Sequence, residues 1–302
     1  MLDLTKLTTE QRNPKTMELD SFTPLEIATV MNEENNNVIK AIDEVLPQVA
    51  RAIEWAGESL NAGGRIIYVG AGTSGRLGVL DAVECPPTFG VSYDTVVGLI
   101  AGGEGAFVKA AEGAEDKADA GEADLAALAP EARDIVIGIA ASGRTPYVVG
   151  ALRRAKAAGC HTVAIACNRG SVIGGEAELA IEPVTGPEVL TGSTRLKAGT
   201  AQKLVLNMIS TGAMVAAGKV YQNLMVDVRQ SNEKLRVRAQ NIVMMATECT
   251  REQAAEALAA CNDHVKGAIT MLLLGCDAAA AESALEDAHG HVRAAVEAHA
   301  QA

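Results

Sequence analysis

Polar residues dominate the first 22 positions, and Asn13-Pro14 interrupts any periodicity, so this stretch is predicted to be an extended arm. Thr23-Pro24-Leu25-Glu26 then reads as a helix start, with Thr as N-cap, Pro at the first position and Glu at the third. Ile27, Val30 and Met31 follow at helical spacing. A second helix is predicted over roughly 36–61, with Val38, Ile42, Val45, Leu46, Val49, Ile53 and Leu60 on one face. Pro47 kinks or divides it, and Asn61-Ala62-Gly63-Gly64 ends it.

Beyond this point the pattern changes to short, continuous apolar runs separated by helical segments. Residues 65–70, 95–100, 134–139 and 161–166 are four such runs, and 178–181 is a weaker fifth. Uninterrupted apolar strands alternating with helices predict a parallel sheet covered on both faces. After Thr194 comes a long apolar helix with a predicted core stripe of Leu204, Met208, Ile209 and Val215. The chain is Ala-rich and helical after about residue 248, with helices expected near 250–260, 264–273 and 278–298. The last is capped by Asp277 and open to division at Gly290.

The predicted class is therefore α/β: a doubly wound parallel sheet with N-terminal helices and a small C-terminal all-helical appendage. Four segments follow from the pattern: an arm and helices over 1–49, the α/β domain over 50–220, a connecting helical segment over 221–248, and a small helical domain over 249–302.

Composition narrows the function. Over 302 residues the net charge is −12 and aromatics are only 3%. An acidic chain has no general attraction to nucleic acid or anionic membrane, and few aromatics means few stacking surfaces for bases. The start lacks the basic and apolar regions of a signal peptide, and no apolar stretch reaches the ~18 residues of a membrane span. The six cysteines form no Cys-x-x-Cys pair, and the five histidines do not group with them, so no metal site is expected. A reduced, cytoplasmic protein of enzyme size is the expectation.

Chemistry concentrates in two loops. The first apolar strand runs into Gly70-Ala71-Gly72-Thr73-Ser74-Gly75-Arg76, a literal Gly-x-Gly-x-x-Gly. A dinucleotide site also wants an acid at the end of the second strand, where this chain has Ala101-Gly102-Gly103, so no nicotinamide or flavin is expected. The third strand ends in Ala140-Ala141-Ser142-Gly143-Arg144-Thr145-Pro146, which repeats Ser-Gly-Arg just before a helix. One such loop reads as helix capping. Two, each offering backbone N–H groups and hydroxyls at a helix start, predict an anion-binding crevice that needs no net positive charge. Glu84 and Glu115 stand after the first and second strands, and spacing alone does not distinguish them from surface acids.

These motifs resemble the N-acetylmuramic acid 6-phosphate etherases. The likeness rests on Gly72-Thr73-Ser74-Gly75-Arg76, Glu84-Cys85-Pro86-Pro87-Thr88-Phe89-Gly90, Ala101-Gly102-Gly103-Glu104, Glu112-Gly113-Ala114-Glu115-Asp116 and Ala141-Ser142-Gly143-Arg144-Thr145-Pro146-Tyr147. It extends through the run from Gly192 to Lys203 and through Asn223-Leu224-Met225-Val226-Asp227-Val228. It covers about residues 13–248. It implies a sugar isomerase (SIS) domain, a flavodoxin-like sandwich, together with a homodimer with sites near the subunit interface and a phosphosugar substrate. It further implies cleavage of the lactyl ether without metal or redox cofactor. By the same resemblance Glu84 is the proton-donating acid and Glu115 the second catalytic acid. Thr73, Ser74, Gly75, Ser142, Gly143, Arg144 and Thr145 are implied to bind substrate. Such chemistry needs a base and an acid: opening the sugar acidifies the C2 proton, lactate leaves from C3, and water adds back. An aldose–ketose phosphosugar isomerase, or a sugar-phosphate sensor without turnover, would use the same fold.

Overall fold

The computed structural model describes residues 7–228, 230 and 233–300. The five apolar runs form strands β1 (Ile66–Gly70), β2 (Val96–Ile100), β3 (Ile135–Ile139), β4 (His161–Ile165) and β5 (Leu179–Ile181). All pair in parallel, in the order β2-β1-β3-β4-β5. Every residue of β1 and β3 is buried, which is why these strands read as unbroken apolar runs rather than as alternation. The chain steps from β1 out to β2 and then crosses back to β3, so the winding reverses between β1 and β3. Gly70 and Ile139, the last residues of these two strands, are partners in the register. The loops after them leave the sheet side by side.

Helices α1 (Pro24–Asp43) and α2 (Leu46–Asn61) precede the sheet; α3 (Gly72–Phe89), α4 (Gly105–Val108), α5 (Ala118–Ala127), α6 (Pro146–Ala157) and α7 (Val172–Glu176) connect its strands; and α8 (Lys197–Ala216) follows it. The chain forms two compact units: one takes the chain up to Val83 and then Tyr93–Thr211, the other takes Glu84–Ser92 and the chain from Gly212.

In the first unit, one sheet face buries Ile67, Val69, Val136 and Ala164 against Leu125 of α5, Leu152 of α6 and Ile173 of α7. Each buried Ile, Leu or Val side chain among them stabilises the fold by about 1.5–3 kcal/mol. Helices α5 and α6 meet at backbone contact. A Cβ at Gly121 or at Gly150 would lie 1.8 Å from a carbonyl oxygen of the facing helix. The opposite face carries α3, whose Gly78 lies against the Tyr68 side chain. There the buried Asp81 accepts from Tyr68 Oη at 2.8 Å and from Asn207 and Ser210 of α8.

Three expectations change. The arm, as far as it is described, is not extended: Thr8–Glu10, Pro14–Thr16 and Leu19–Ser21 form 3₁₀ turns. It is tied down by Thr16 Oγ1 donating to Val189 O and Asn13 Nδ2 to Pro187 O. The first two helices divide at Glu44–Val45, not within 32–36 or after Pro47. Helix α1 runs through Asn35-Asn36-Asn37, because Glu34 and Val38 are buried there, and Pro47 takes the second position of α2, where its missing N–H is harmless. In α8 the buried stripe is Val205, Leu206, Ile209, Ala213 and Met214, while Met208 and Val215 are 37% and 49% exposed. The predicted capping box at Thr23 and Glu26 is present.

The second unit contains a hairpin, β6 (Val220–Tyr221) with β7 (Leu224–Met225), and then α9 (Glu233–Thr247), α10 (Arg251–Ala260), α11 (Val265–Leu274), α12 (Ala278–Asp287) and α13 (Val292–Ala300). Its core includes Val226, Ile242, Val243, Leu258, Ile269 and Leu285. Asp277 caps α12, and Gly290, at φ 79°, separates α12 from α13. A charged cluster lies beside this core. Asp227 Oδ2 is 3.0 Å from both Lys219 Nζ and Lys266 Nζ, and Oδ1 is 3.8 Å from His264 Nε2. Burial alone would raise the Asp227 carboxyl, but His264 and the two lysines hold it at about 2. Asp227 in turn raises His264, and burial lowers Lys266. Among the described residues, no single helix is long and apolar enough to cross a membrane.

Candidate active site

The first loop opens α3. Gly75 is buried: its N–H donates to Ala71 O at 3.1 Å, and a Cβ there would lie 2.8 Å from Gly70 O and from Ile100 Cγ1. It lets helix and strand approach, which brings the amides of the helix start to the sheet edge. Thr73 is partly exposed at this start, and Gly199 of α8 packs against its methyl group. Ser74 is only 6% exposed, and its hydroxyl donates to Gln202 Oε1 of α8 at 2.8 Å. Among the described residues Arg76 forms no carboxylate salt bridge: it donates to the carbonyls of Phe107 and Ala106.

The second loop opens α6. Gly143 has φ 72°, and a Cβ there would lie 2.3 Å from Ser171 Cβ, so glycine is required on two grounds. Ser142 Oγ accepts from Arg144 N at 3.4 Å. Thr145 sits at the N-cap of α6 without making a side-chain cap bond. Its hydroxyl is therefore not committed to the task that usually explains a threonine at this position. Behind the loop, Asn168 donates to the carbonyls of Ala141 and Ser142 and to Thr9 Oγ1 of the arm.

A cleft of about 370 Å³ lies against the first loop, lined by Ala71, Gly72 and Arg76 together with Ala101, Glu112, Gly113 and Glu115. Gly113, at φ 71°, turns the chain into the 3₁₀ turn Ala114–Asp116 that presents Glu115. The structure thus brings Glu115 to the first loop. Ser142, Gly143, Arg144 and Thr145 do not line this cleft but stand at the neighbouring strand end. Glu84 does not line it either. It is exposed on α3, ten residues beyond Ser74, or about 15 Å of helix axis. Pro86 and Pro87, without N–H groups, leave the helix to continue on other bonds, including Thr88 Oγ1 to Glu84 O at 2.8 Å.

Three buried side chains near these loops, Lys197, Glu188 and Gln202, have partners that the sequence alone does not show. Lys197 is wholly buried and ion-paired to Glu34. Glu188, also buried, accepts from the N–H groups of Lys197 and Ala198 at the start of α8. Gln202 belongs to the run from Gly192 to Lys203 that carries the resemblance, but nothing in that run assigns it a partner; it is wholly buried on α8. No group of three or more metal-ligating side chains occurs among the described residues.

Known proteins resemble this chain in sequence and fold. Residues 37–156 match the model of the glucokinase regulatory protein N-terminal SIS domain, and 114–212 match the SIS domain model. A Bacteroides fragilis structure described as a candidate phosphosugar isomerase has the same fold, at 17% identity and TM-score 0.50, over 65% of this chain and 94% of its own. N-acetylmuramic acid 6-phosphate etherases are far nearer. The relative from Cronobacter sakazakii is 59% identical over 98% of this chain and 100% of its own. The relative from Serratia proteamaculans is 59% identical over 98% and 99%. Identity of this extent, together with the paired serine-bearing loops at the β1 and β3 ends, places the fold expected from the motifs in a named group: the chain belongs to the N-acetylmuramic acid 6-phosphate etherase family.

Proposed function

We propose that this protein cleaves the D-lactyl ether of N-acetylmuramic acid 6-phosphate, giving N-acetylglucosamine 6-phosphate and D-lactate, as a step in amino-sugar recycling. The observation that carries the reading is the in-register ending of β1 and β3 at the point where the winding reverses. It sets two helix-start loops side by side, the arrangement that binds a phosphoryl group with N–H and hydroxyl donors. Near-full-length identity to etherases supports the reaction over the isomerase and sensor readings.

In the proposed reaction the open-chain aldehyde makes the C2 proton acidic. Glu115 removes it, and the C3–O bond breaks as Glu84 protonates the departing lactyl oxygen. Water then adds at C3 of the unsaturated aldehyde, and a proton returns to C2. Atoms balance with one water consumed, and the two carboxyls exchange protons with no change of oxidation state. Thr73, Ser74, Ser142 and Thr145 supply hydroxyls to the phosphosugar, Gly75 and Gly143 shape the loop backbones, and Arg144 adds charge.

We also read the protein as a cytoplasmic homodimer. Leu80 and Val83, 43% and 46% exposed, leave apolar surface uncovered on α3 just before Glu84, and a second copy is the occupant this reading assigns to it. The deciding experiment mixes purified protein with N-acetylmuramic acid 6-phosphate in deuterated, ¹⁸O-labelled water and measures D-lactate. Lactate release with deuterium at C2 and ¹⁸O at C3 of the product is expected. Ketose formation without lactate, or ligand binding without turnover, would overturn it.

A further inference from the structure

The Ser74 hydroxyl has one proton, and in the structure that proton goes to Gln202 Oε1 at 2.8 Å. Gln202 is 0% exposed, and its Nε2 has no partner among the described residues. A buried amide donor left unpaired is rare, and rarer than an unpaired buried carbonyl oxygen. A phosphoryl oxygen of a phosphosugar accepts hydrogen bonds and donates none at neutral pH. For Ser74 to serve it, the proton must turn away from Gln202. Two acceptor oxygens would then face each other across 2.8 Å in a buried place, an arrangement the protein can relieve in one way. A half-turn of the primary amide exchanges oxygen and nitrogen at almost no change of shape. Nε2 then donates to Ser74 Oγ, and the unpaired atom becomes the carbonyl oxygen.

We propose that Gln202 is a positioning residue that switches the hydrogen-bond polarity of Ser74. Without ligand its amide oxygen stores the Ser74 proton. With a phosphosugar bound, its amide nitrogen supports the hydroxyl from behind while Ser74 donates to the ligand. This rests on the reading of the first loop as part of the phosphosugar site. Helix α8 is suited to the role because its start packs on the same loop, with Gly199 against Thr73, so the amide is held at a fixed distance from Ser74.

The test uses the full chain with ¹⁵N-labelled glutamine and N-acetylglucosamine 6-phosphate as probe, with binding followed in parallel by calorimetry. The Gln202 side-chain amide signals are identified by their loss in Gln202→Met. At saturation they are expected to shift and exchange more slowly with solvent, and this change should disappear in Ser74→Ala. Signals unmoved in a protein that calorimetry shows to be saturated overturn the switch alone. Absence of calorimetric binding overturns the reading of the loop, and the switch with it. Kinetics give a second arm. Gln202→Glu, which as a carboxylate only accepts, should raise KM by roughly 10- to 100-fold with kcat changed far less. Gln202→Met, which cannot hold the proton, should raise KM much less. Equal KM defects in the two variants would mark a merely structural residue.

Discussion

Lys197 and Glu34 form an ion pair from which solvent is almost wholly excluded, with side chains 2% and 4% exposed. Lys15, Asn13 and Asn37 also donate to the carboxylate. Removing one partner strands the other charge, so Lys197→Met should cost about 3–5 kcal/mol in urea unfolding. A Glu34→Leu/Lys197→Met double variant should lose clearly less than the sum of the two single variants. Strict additivity would show that the pair is not coupled.

The same carboxylate predicts acid sensitivity. Burial works to raise Glu34, but hydrogen bonds from Lys197 and Lys15 outweigh it and lower the group from 4.5 to about 2. A depressed carboxyl contributes stability above its unfolded value. That contribution is therefore present above about pH 4.5 and lost as pH falls towards 2. Unfolding midpoints of Glu34→Gln should fall less steeply than wild type across that window. Parallel curves would remove Glu34 from the explanation.

His264 predicts the opposite slope in the second unit. Asp227 raises it above its ordinary 6.5, so its contribution is complete below that value and lost as pH rises through the higher folded value. Hydrogen exchange of α11 should accelerate relative to intrinsic rates as pH rises through this range, and His264→Gln should abolish that change. An unchanged pH dependence in the variant would contradict it.

For catalysis, Glu84→Gln should lower lactate release by about 10²- to 10⁴-fold. Because it leaves Glu115 in place, it should still exchange the substrate's C2 proton for deuterium, whereas Glu115→Gln should lose exchange as well. Reversed behaviour would exchange the two roles, and near-normal turnover of Glu84→Gln would remove it from the chemistry.

Gly143→Ala tests the second loop. The left-handed backbone at φ 72° and the 2.3 Å approach to Ser171 Cβ both oppose a methyl group. The substitution should destabilise by about 1–3 kcal/mol and raise KM for the phosphosugar. A thermal melt and KM both matching wild type would show that the loop tolerates another shape.

The sheet was legible because β1 and β3 are buried on both faces, which leaves an apolar run that no other element of that length explains. The two loops were legible because they repeat, and Asp277 and Thr23 because capping is local. What failed depends on distant partners. The 3₁₀ turns of the arm exist because Val189 and Pro187 hold Thr16 and Asn13, more than 170 residues away. Met208 and Val215 satisfied a helical stripe, but a 3.6-residue period does not say which of two adjacent stripes faces inward. Lys197 and Gln202 are ordinary polar letters in a helix until Glu34 and Ser74 are placed beside them. The glutamates were singled out only by resemblance, since a carboxylate on a surface helix and one at a reaction centre look alike in sequence.

Asn168 joins Thr9 to the back of the second loop across 159 residues. In synthesis Thr9 emerges from the ribosome long before its anchor, and at roughly 5–20 residues per second the wait is on the order of ten seconds. The arm must remain unattached until four strands have been made, so it is among the last pieces to settle. A chain whose first turns are lost would still build its sheet, but the serine turn after β3 would lack the brace that finishes it.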